Sequence, residues 1–432
     1  MWDGRQEQMS RSPTHTSSSR AVDHFLRYTR LGRDLGISRQ VIEDQEFHGD
    51  SITIRGQRVA NFGLCSYLGL GDDPRLVEAA VDAVRRFGNS YSSSTAYTSL
   101  SLYGPLRERL EAMFGAPVVI AATTTLAHMS ALPVLVKSGD TVVIDAFAHA
   151  SLLGVLPTLG ANGAAIHQLP HNDLERLADI ADSAPGRTWY LCDGLYSMQG
   201  MTAPAEDLRS LLDSREDLWV YCDDAHSMGW SGTHGRGQFL ERAGWHPRLV
   251  MAYGLSKSFG TLGGVVATPN PELIEQVEVT GGPMIFGGPL PPPMLGASIA
   301  SADIHLSDEL PVLQADLLDR IRLVNDYADE IGLPLVSRQE TPLFFVRVGP
   351  VMSTISAGAV MLREGYFLNA AVFPAVPRNQ GGVRFTVTRY NTPEQIVDML
   401  DTLLEVRQAH EGPDTVIDLT AFEDDHAPAP QT

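Results

Sequence analysis

The sequence predicts an α/β fold whose large domain is an open, mostly parallel sheet covered by helices. Short runs rich in β-branched and apolar residues alternate with helical stretches, which is typical of strands joined by crossover connections. Several of these runs are apolar on both faces, as the strands of a covered parallel sheet are. The seven runs are APVVIAA, DTVVIDA, AAIHQLP, RTWYLCD, LWVYCDD, RLVMAYG and GGVVATP. Ligands of such sheets bind at the carboxyl ends of the strands.

The remaining elements follow in chain order. Helical periodicity covers residues 174–182 and 205–216. A Gly/Pro-rich stretch at 281–294 is interpreted as a hinge, and a long helix over about 308–331 follows it. The strand PLFFVRV, the helix TISAGAVMLREG, the strand GVRFTVTRY and the helix PEQIVDMLDTLLEVRQAH then predict a smaller C-terminal α+β domain. The predicted organisation is a disordered leader (1–20), an N-terminal segment (21–75), the large domain (76–295), the small domain (296–410) and an acidic flexible tail (411–432).

Composition narrows the class of protein. The 432 residues include 52 acidic and 32 basic side chains, and the net charge of −20 argues against sequence-independent nucleic-acid binding. Three cysteines without a CxxC pair favour a reduced, cytoplasmic protein. The uncharged stretch 112–136 contains Gly, Pro and Thr, so it predicts a buried strand, turn and helix and no membrane span. No zinc-ligand spacing and no GxGxxG motif occur, so no metal and no dinucleotide site is predicted.

Polar residues follow the predicted strands, and each has an ordinary structural interpretation. Thr123, Thr124 and Thr125 open a helix and favour either phosphate binding or simple N-capping. His149 has three possible interpretations: a functional residue, a helix cap, or a core histidine with its hydrogen bonds satisfied. Asp193 and Ser197 follow RTWYLC, and Asp223, Asp224 and His226 follow LWVYC. An acidic pair after a strand indicates a Mg²⁺ ligand or a helix cap.

Taken together, the polar residues that follow the strands indicate a function that no single one of them indicates. Asp223, His226 and Lys257 lie at the ends of successive strands, and Lys257 stands in YGLSKSFGTLGG among small residues. Pyridoxal phosphate chemistry requires a lysine for the Schiff base, a carboxylate for the pyridinium nitrogen, a stacking ring and phosphate donors. The sequence therefore predicts pyridoxal 5'-phosphate as cofactor.

The motifs resemble those of the α-oxoamine synthase family of fold-type I pyridoxal phosphate enzymes, over about residues 45–408. DDAHSMGWSGTHGRG is similar to the family's DDAHxxGxxGxxGRG, DGLYSMQGMTAP to (E/D)GxFSMDGDxAP, and SKSFGTLGG to its lysine loop. SYLGL, HASLL and HND also match. The departures described below suggest a divergent branch.

The resemblance implies a role for each matching residue. Lys257 would form the Schiff base and move the Cα proton, and Asp223 would pair with the pyridine nitrogen. His226 and Ser197 would hydrogen-bond the 3'-oxygen of the ring, and His149 would stack on it. Thr123, Thr124 and Thr125 would lie along the phosphate and ring edge. Arg384 would bind the substrate carboxylate as an Arg–carboxylate fork, although a strand arginine is also commonly a surface ion-pair partner.

Further implications concern the reaction and its partners. The family condenses an amino acid with an acyl thioester, on CoA or on a carrier protein, and releases CO₂ to give an α-aminoketone. It also implies a homodimer with shared active sites in a biosynthetic pathway. Transamination and Cα–Cβ cleavage remain alternatives because Asp, Lys and Arg serve all of these reactions. A catalytically silent scaffold subunit is a further alternative.

Several positions depart from the family pattern. Gly254 stands three residues before the lysine, where a phosphate-binding Thr or Ser is usual, and Ser256 is a possible partial substitute. Gly287 and Gly288 replace a Ser-Thr pair that reaches the phosphate in the partner subunit. Two phosphate donors are thus expected to be missing. Near the substrate, Cys65 replaces a common Asn and is either a reactive thiol or a small buried side chain. Tyr103 or Gly104 replaces a family histidine.

Overall fold

The structure is a computed structural model that describes residues 26–373, 375–377 and 379–410. The predicted leader (1–20) and tail (411–432) lie outside the described residues. Residues 26–34 are helical. The strands are β1 Ser51–Ile54, β2 Gln57–Asn61, β3 Val118–Ala121, β4 Thr141–Asp145, β5 Ala165–Leu169, β6 Thr188–Asp193, β7 Leu218–Asp223, β8 Leu249–Gly254, β9 Gly264–Ala267, β10 Leu343–Gly349, β11 Tyr366–Phe367, β12 Asn369–Ala371 and β13 Gly381–Thr386.

The helices alternate with the strands through the first two thirds of the chain. They are α1 Pro74–Phe87, α2 Tyr103–Phe114, α3 Thr124–Leu135, α4 Ala150–Leu153, α5 Leu156–Ala161, α6 Leu174–Ser183, α7 Ala205–Ser214, α8 Gln238–Ala243, α9 Pro271–Thr280, α10 Gly282–Phe286, α11 Pro292–His305, α12 Glu309–Glu330, α13 Val351–Arg363 and α14 Pro393–Ala409. A short 3₁₀ helix spans Thr233–Gly235.

The large sheet confirms the predicted fold class. All seven predicted strands are present, in the order β3-β9-β8-β7-β6-β4-β5. Pairs among β5, β4, β6, β7 and β8 are parallel, whereas β9 is antiparallel to both of its neighbours. Strands β4, β6 and β8 are buried at every residue, which explains their continuous apolar runs. The edge strand β5 is exposed at four of its five residues.

The main difference from the sequence expectation concerns the Gly/Pro-rich stretch at 281–294. It contains α10 and the start of α11, so much of it is helical, and its role as a hinge stays a prediction. Each helix carries proline in its first turn, where the missing N–H costs nothing and the fixed φ favours a helix. Helix α11 packs closely on α1 at Gly296. A β-carbon on this glycine would lie only 2.4 Å from the carbonyl oxygen of Ala79, so the contact requires a residue without a side chain.

A smaller C-terminal α+β domain follows, built on the antiparallel sheet β10-β13-β12. Helices α13 and α14 pack on this sheet around a core that includes Phe344, Phe385 and Leu400. Strand β13 ends at Thr386, four residues before the predicted end. The chain leaves the sheet there, and its backbone hydrogen-bonds to another segment. The Arg389 amide donates to Tyr67 O at 3.0 Å, and this contact joins the small domain to the segment before α1. Among the described residues no helix is both long and apolar enough to cross a bilayer.

Candidate active site

A cavity of about 190 Å³ lies at the carboxyl ends of β4, β6, β7 and β8, beside the first turn of α3. The strands are parallel, so the residues that follow them converge on one edge of the sheet. The predicted site residues that line this cavity are Thr123, Thr124, Thr125, His149, Asp223, His226, Ser256 and Lys257. The structure thus brings together residues that are up to 134 positions apart in the sequence.

Asp223 ends β7 and is held by two donors. Its Oδ2 lies 2.9 Å from His128 Nε2, and its Oδ1 accepts a 3.1 Å bond from the Ala225 amide. His128 is fully buried in α3, and its Nδ1 lies 2.9 Å from the Tyr221 hydroxyl. Burial opposes ionisation of Asp223, but His128 and Lys257 outweigh it and lower the pKa of this carboxyl. Asp223 is therefore an anion presented to the cavity.

The neighbouring carboxylate, Asp193 at the end of β6, has the opposite character. Burial, together with the negative charge of Asp223, raises the pKa of Asp193 well above its usual range. Asp193 Oδ1 accepts a 3.0 Å bond from the amide of His149 and so fixes the loop that carries this histidine. Asp193 and Asp223, in register at adjacent strand ends, thus have pKa values shifted in opposite directions.

His149 caps a helix and also lines the cavity. Its Nδ1 accepts a 3.2 Å bond from the Ser151 amide and caps α4, while its ring lines the cavity. His226 is held by Tyr67, whose hydroxyl lies 2.8 Å from His226 Nδ1. Burial lowers the pKa of His226 well below its usual value, and the cations of Lys257 and Arg384 lower it further. His226 is therefore neutral at physiological pH.

Lys257 lies in a loop between β8 and β9. The loop is closed by two backbone bonds, Leu255 N to Gly263 O at 3.0 Å and Thr261 N to Leu255 O at 2.9 Å. The side chain of Lys257 is half-buried, lines the cavity, and makes no hydrogen bond or ion pair with any part of the chain that the structure describes. The loop thus presents an amine that is free to react.

The threonine run begins α3 and its members differ in their bonds. Thr123 Oγ1 accepts a 3.1 Å bond from the Leu126 amide, so its hydroxyl is the N-cap. The Thr124 hydroxyl points at Tyr253 O, 3.4 Å away. Thr125 is exposed at the cavity wall. The N-capping interpretation therefore applies to Thr123, and ligand binding by Thr124 and Thr125 stays a prediction.

Ser197, Arg384 and Cys65 lie outside this cavity but close to it. Arg384 in β13 is buried, and its Nε donates a 2.6 Å bond to the Ser197 carbonyl oxygen. Its Nη2 lies 3.6 Å from Cys65 Sγ, a free thiol. Within the described residues Arg384 has no carboxylate partner, so the surface ion-pair interpretation does not hold. Ser197, Arg384 and His226 share a second, larger cavity of about 780 Å³.

Two residues that contact the site, His128 and Tyr67, were not predicted from the sequence. His128 lies in an apolar helix, one turn after Thr124 and Thr125, and this helical spacing is the signal that places it on the side facing the cavity. Tyr67 lies within the matched SYLGL motif, but its contact with His226 spans 159 positions and has no local signal.

These contacts fit pyridoxal phosphate. A free lysine amine, a buried carboxylate that is kept ionised, a neutral histidine and a helix N-terminus line one cavity of limited size. The fold and the site together define a pyridoxal phosphate enzyme of fold type I.

Comparisons with known proteins give the family. The aminotransferase class I and II family matches residues 58–402. The 8-amino-7-oxononanoate synthase of Symbiobacterium thermophilum is 31% identical over 87% of this chain and 95% of that protein. The enzyme of the same name from Maricaulis maris is 29% identical over 92% of this chain and 99% of that protein. The chain therefore belongs to the aminotransferase class I and II family and, within it, to the α-oxoamine synthases.

Solved structures show the same fold. The serine palmitoyltransferase of Sphingomonas wittichii superposes with a TM-score of 0.83 over 92% of this chain and 99% of that one, at 22% identity. The 8-amino-7-oxononanoate synthase of Francisella tularensis gives a TM-score of 0.68 over 81% of this chain and 98% of that one, at 21% identity. The predicted family resemblance and cofactor class are confirmed.

Proposed function

We propose that this chain condenses an amino acid with an acyl thioester, releasing CO₂ and the free thiol and forming an α-aminoketone. The observation that carries the proposal is the position of Arg384. Its buried guanidinium has no carboxylate partner among the described residues, and it shares a cavity with His226, which also lines the cavity of Lys257. A carboxylate bound to Arg384 would place the adjacent Cα close to Lys257.

Each residue of the site has a separate role in this proposed reaction. Bound pyridoxal phosphate supplies an electron sink that makes the Cα proton of the amino acid acidic. Asp223 would stabilise the positive charge on the ring nitrogen, and its lowered pKa suits this role. Lys257 is the base that takes the Cα proton. By motif, His149 would stack on the ring, and neutral His226 and Ser197 would hydrogen-bond its 3'-oxygen.

The acyl chain has apolar space next to the reacting centre. The larger cavity is lined by Ile37, Met198, Ile355 and Val372 in addition to Arg384. A further cavity of about 510 Å³ adjoins it and shares Met198. These walls support an acyl partner with a hydrocarbon chain, since apolar groups are favourable there. CoA and carrier-protein thioesters present the same acyl group, so both donors remain within the proposal.

The assembly and location are part of the same proposal. We infer a homodimer with shared active sites in the cytoplasm, supported by the family resemblance and by three cysteines that are all free thiols. Light scattering should give twice the chain mass of 46.9 kDa. A monomer that is fully active at the same concentration would contradict the shared site.

A product screen tests the reaction. Purified protein with pyridoxal phosphate is incubated with an amino-acid panel crossed with acyl-CoAs, and products and CO₂ are measured by mass spectrometry. We expect an α-aminoketone that contains the acyl group and has lost the amino-acid carboxylate, and Lys257→Ala should abolish it. Because the family also includes aminotransferases, a keto acid is supplied in parallel. Amino-group transfer without thioester consumption would overturn the proposal in favour of transamination.

A further inference from the structure

The glycine three residues before the lysine faces a threonine from another element. Gly254 ends β8, and a β-carbon added to it would lie 2.9 Å from Thr124 Oγ1 and 3.0 Å from Ala225 Cβ. The first distance is shorter than real β-carbon contacts essentially ever are, and the second is tighter than most, so a neighbouring atom would have to shift. A side chain at 254 and the hydroxyl of Thr124 therefore compete for the same space at the edge of the cavity.

The start of α3 is held firmly against the sheet. A β-carbon on Gly264 would lie 2.5 Å from both the carbonyl carbon of Thr123 and the amide nitrogen of Thr124, so the backbone of β9 touches the backbone of the helix there. This packing fixes the position of Thr124 without using its hydroxyl. The bond from that hydroxyl to Tyr253 O, at 3.4 Å, is long for an O–H donor and is easily exchanged for a better acceptor.

The other hydroxyls near this helix end are less suited to the same task. Thr123 Oγ1 already accepts from the Leu126 amide. Thr125 has no hydrogen bond that orders its hydroxyl among the described residues, and Ser256 is exposed beyond the bend of the lysine loop. Thr124 is thus the one member of the run whose hydroxyl is both positioned by packing and available to a ligand.

The acceptor that suits this position is an anion. The amides of Thr124 and Thr125 have no acceptor within the described residues, and the first turn of a helix carries a partial positive charge. A phosphate group is favoured by both contributions.

We propose that the Thr124 hydroxyl is the side-chain donor to the cofactor phosphate on this side of the cavity, and that Gly254 is the space that admits it. The sequence predicts that a phosphate donor is missing at Gly254. In this proposal the missing hydroxyl of β8 is replaced by the Thr124 hydroxyl of α3. This inference rests on the cofactor of the proposed function, but it does not depend on the substrates.

A binding measurement on Thr124 variants tests the donor. The apoprotein is titrated with pyridoxal phosphate, and the dissociation constant is obtained from the quenching of tryptophan fluorescence. Thr124→Val keeps the branched shape and removes the hydroxyl, so the dissociation constant should rise roughly tenfold to a hundredfold, as for a lost hydrogen bond to a charged group. Thr124→Ser should restore most of the affinity. Thr280→Val, the same change at an exposed helical residue of α9, should leave it unchanged.

A double-mutant cycle tests the shared space. Gly254→Thr alone should weaken cofactor binding, because its side chain collides with Thr124, and Thr124→Gly alone should weaken it by loss of the donor. Thr124→Gly combined with Gly254→Thr should bind more tightly than either single variant, since the hydroxyl is then supplied from β8. The melting temperature of each apoprotein is recorded, and the comparison uses only binding to folded protein.

The outcomes are separable from those of the reaction. Unchanged affinity in Thr124→Val, or tight binding by Gly254→Thr with Thr124 still present, would overturn the inference. Because the titration contains no amino acid or thioester, a protein that binds the cofactor and fails to form an aminoketone contradicts the proposed function alone.

Discussion

Two aspartate–histidine pairs lie at the same edge of the large sheet, and only one of them lines the catalytic cavity. Asp223, at the end of β7, pairs with His128, whereas Asp145, at the end of β4, pairs with His171 at 3.1 Å. Both carboxylates are buried. The pKa of each is lowered from its ordinary value, in spite of burial, by its histidine and by nearby donors. Residue type and burial therefore do not distinguish a functional pair from a structural one.

The difference lies in the remaining hydrogen-bonding capacity. Asp145 also accepts bonds from the amide of Phe147 at 2.7 Å, the amide of Asn172 at 2.8 Å and the Tyr190 hydroxyl at 3.2 Å. Its oxygens are therefore fully used in holding the loops after β4 and β5. Among the described residues, Asp223 has His128 and the Ala225 amide as its hydrogen-bond partners, and it faces the cavity. We therefore propose that unused acceptor capacity at a cavity wall distinguishes a functional carboxylate from a structural one.

The largest effect should come from Asp223→Asn. The amide keeps the shape but removes the negative charge that the cofactor ring nitrogen requires, so turnover should fall by at least about a hundredfold. Aminoketone formation is measured at saturating cofactor, and denaturant unfolding should show little loss of stability. Turnover near that of the unmodified chain would assign the catalytic anion to another residue.

The second effect concerns His128, a positioning residue that acts through Asp223. In His128→Ala the carboxylate loses its strongest partner, and turnover should fall by about tenfold or more. Because His128 lowers the pKa of Asp223, its removal should raise that pKa, and the acid limb of the pH–activity profile should move to higher pH. His128→Asn keeps a hydrogen-bond donor, so it should restore part of the turnover and part of the original position of the acid limb.

The pH profile is the measurement that separates this role from simple packing. A variant whose activity falls without any movement of its acid limb would show that His128 only fills space in α3. The visible absorbance of the lysine-linked cofactor, recorded over the same pH range, reports the same change without substrate.

The sequence predicts which residues line the cavity better than it predicts which residues orient them. Lys257 and Asp223 follow apolar strands, and strand runs with their polar ends are local patterns. His128 is a histidine inside an apolar helix, and its role depends on the packing of α3 against β7. The antiparallel direction of β9 was not predicted either, because it results from the short lysine loop, which returns the chain beside β8. Contacts between distant elements, such as Gly254 with Thr124, have no periodicity to reveal them.

A smaller effect on turnover is expected from Tyr67→Phe. The change removes only the hydroxyl that holds His226 Nδ1, so the imidazole keeps its surroundings but loses its orientation. One neutral hydrogen bond contributes about 1 kcal/mol, so turnover should fall about fivefold. Steady-state kinetics should show the loss mainly in kcat. A larger fall than in His128→Ala would mean that His226, not Asp223, is the group most sensitive to its support.

The smallest effect on turnover, combined with a clear loss of stability, is expected from His171→Ala. His171 stacks on Phe147 with ring centroids 4.7 Å apart and lies edge-on to Tyr196, so its removal takes away packing as well as the partner of Asp145. Urea unfolding at neutral pH should show a loss of about 1–3 kcal/mol. The Asp145 carboxyl has a lowered pKa in the folded state, so its stabilisation is present above its unfolded pKa of 3.8 and is lost as the pH falls further.

This acid-dependent part of the stability should shrink in the same variant, since His171 is the largest contributor to the lowered pKa. Turnover of the folded protein should stay within about threefold, because Asp145 keeps its amide and hydroxyl donors and lies outside the cavity of Lys257. A collapse of turnover in His171→Ala, with stability unchanged, would reverse the assignment of the two pairs. The Asp145 pair would then belong to the catalytic machinery, and unused acceptor capacity would not be the feature that separates it from Asp223.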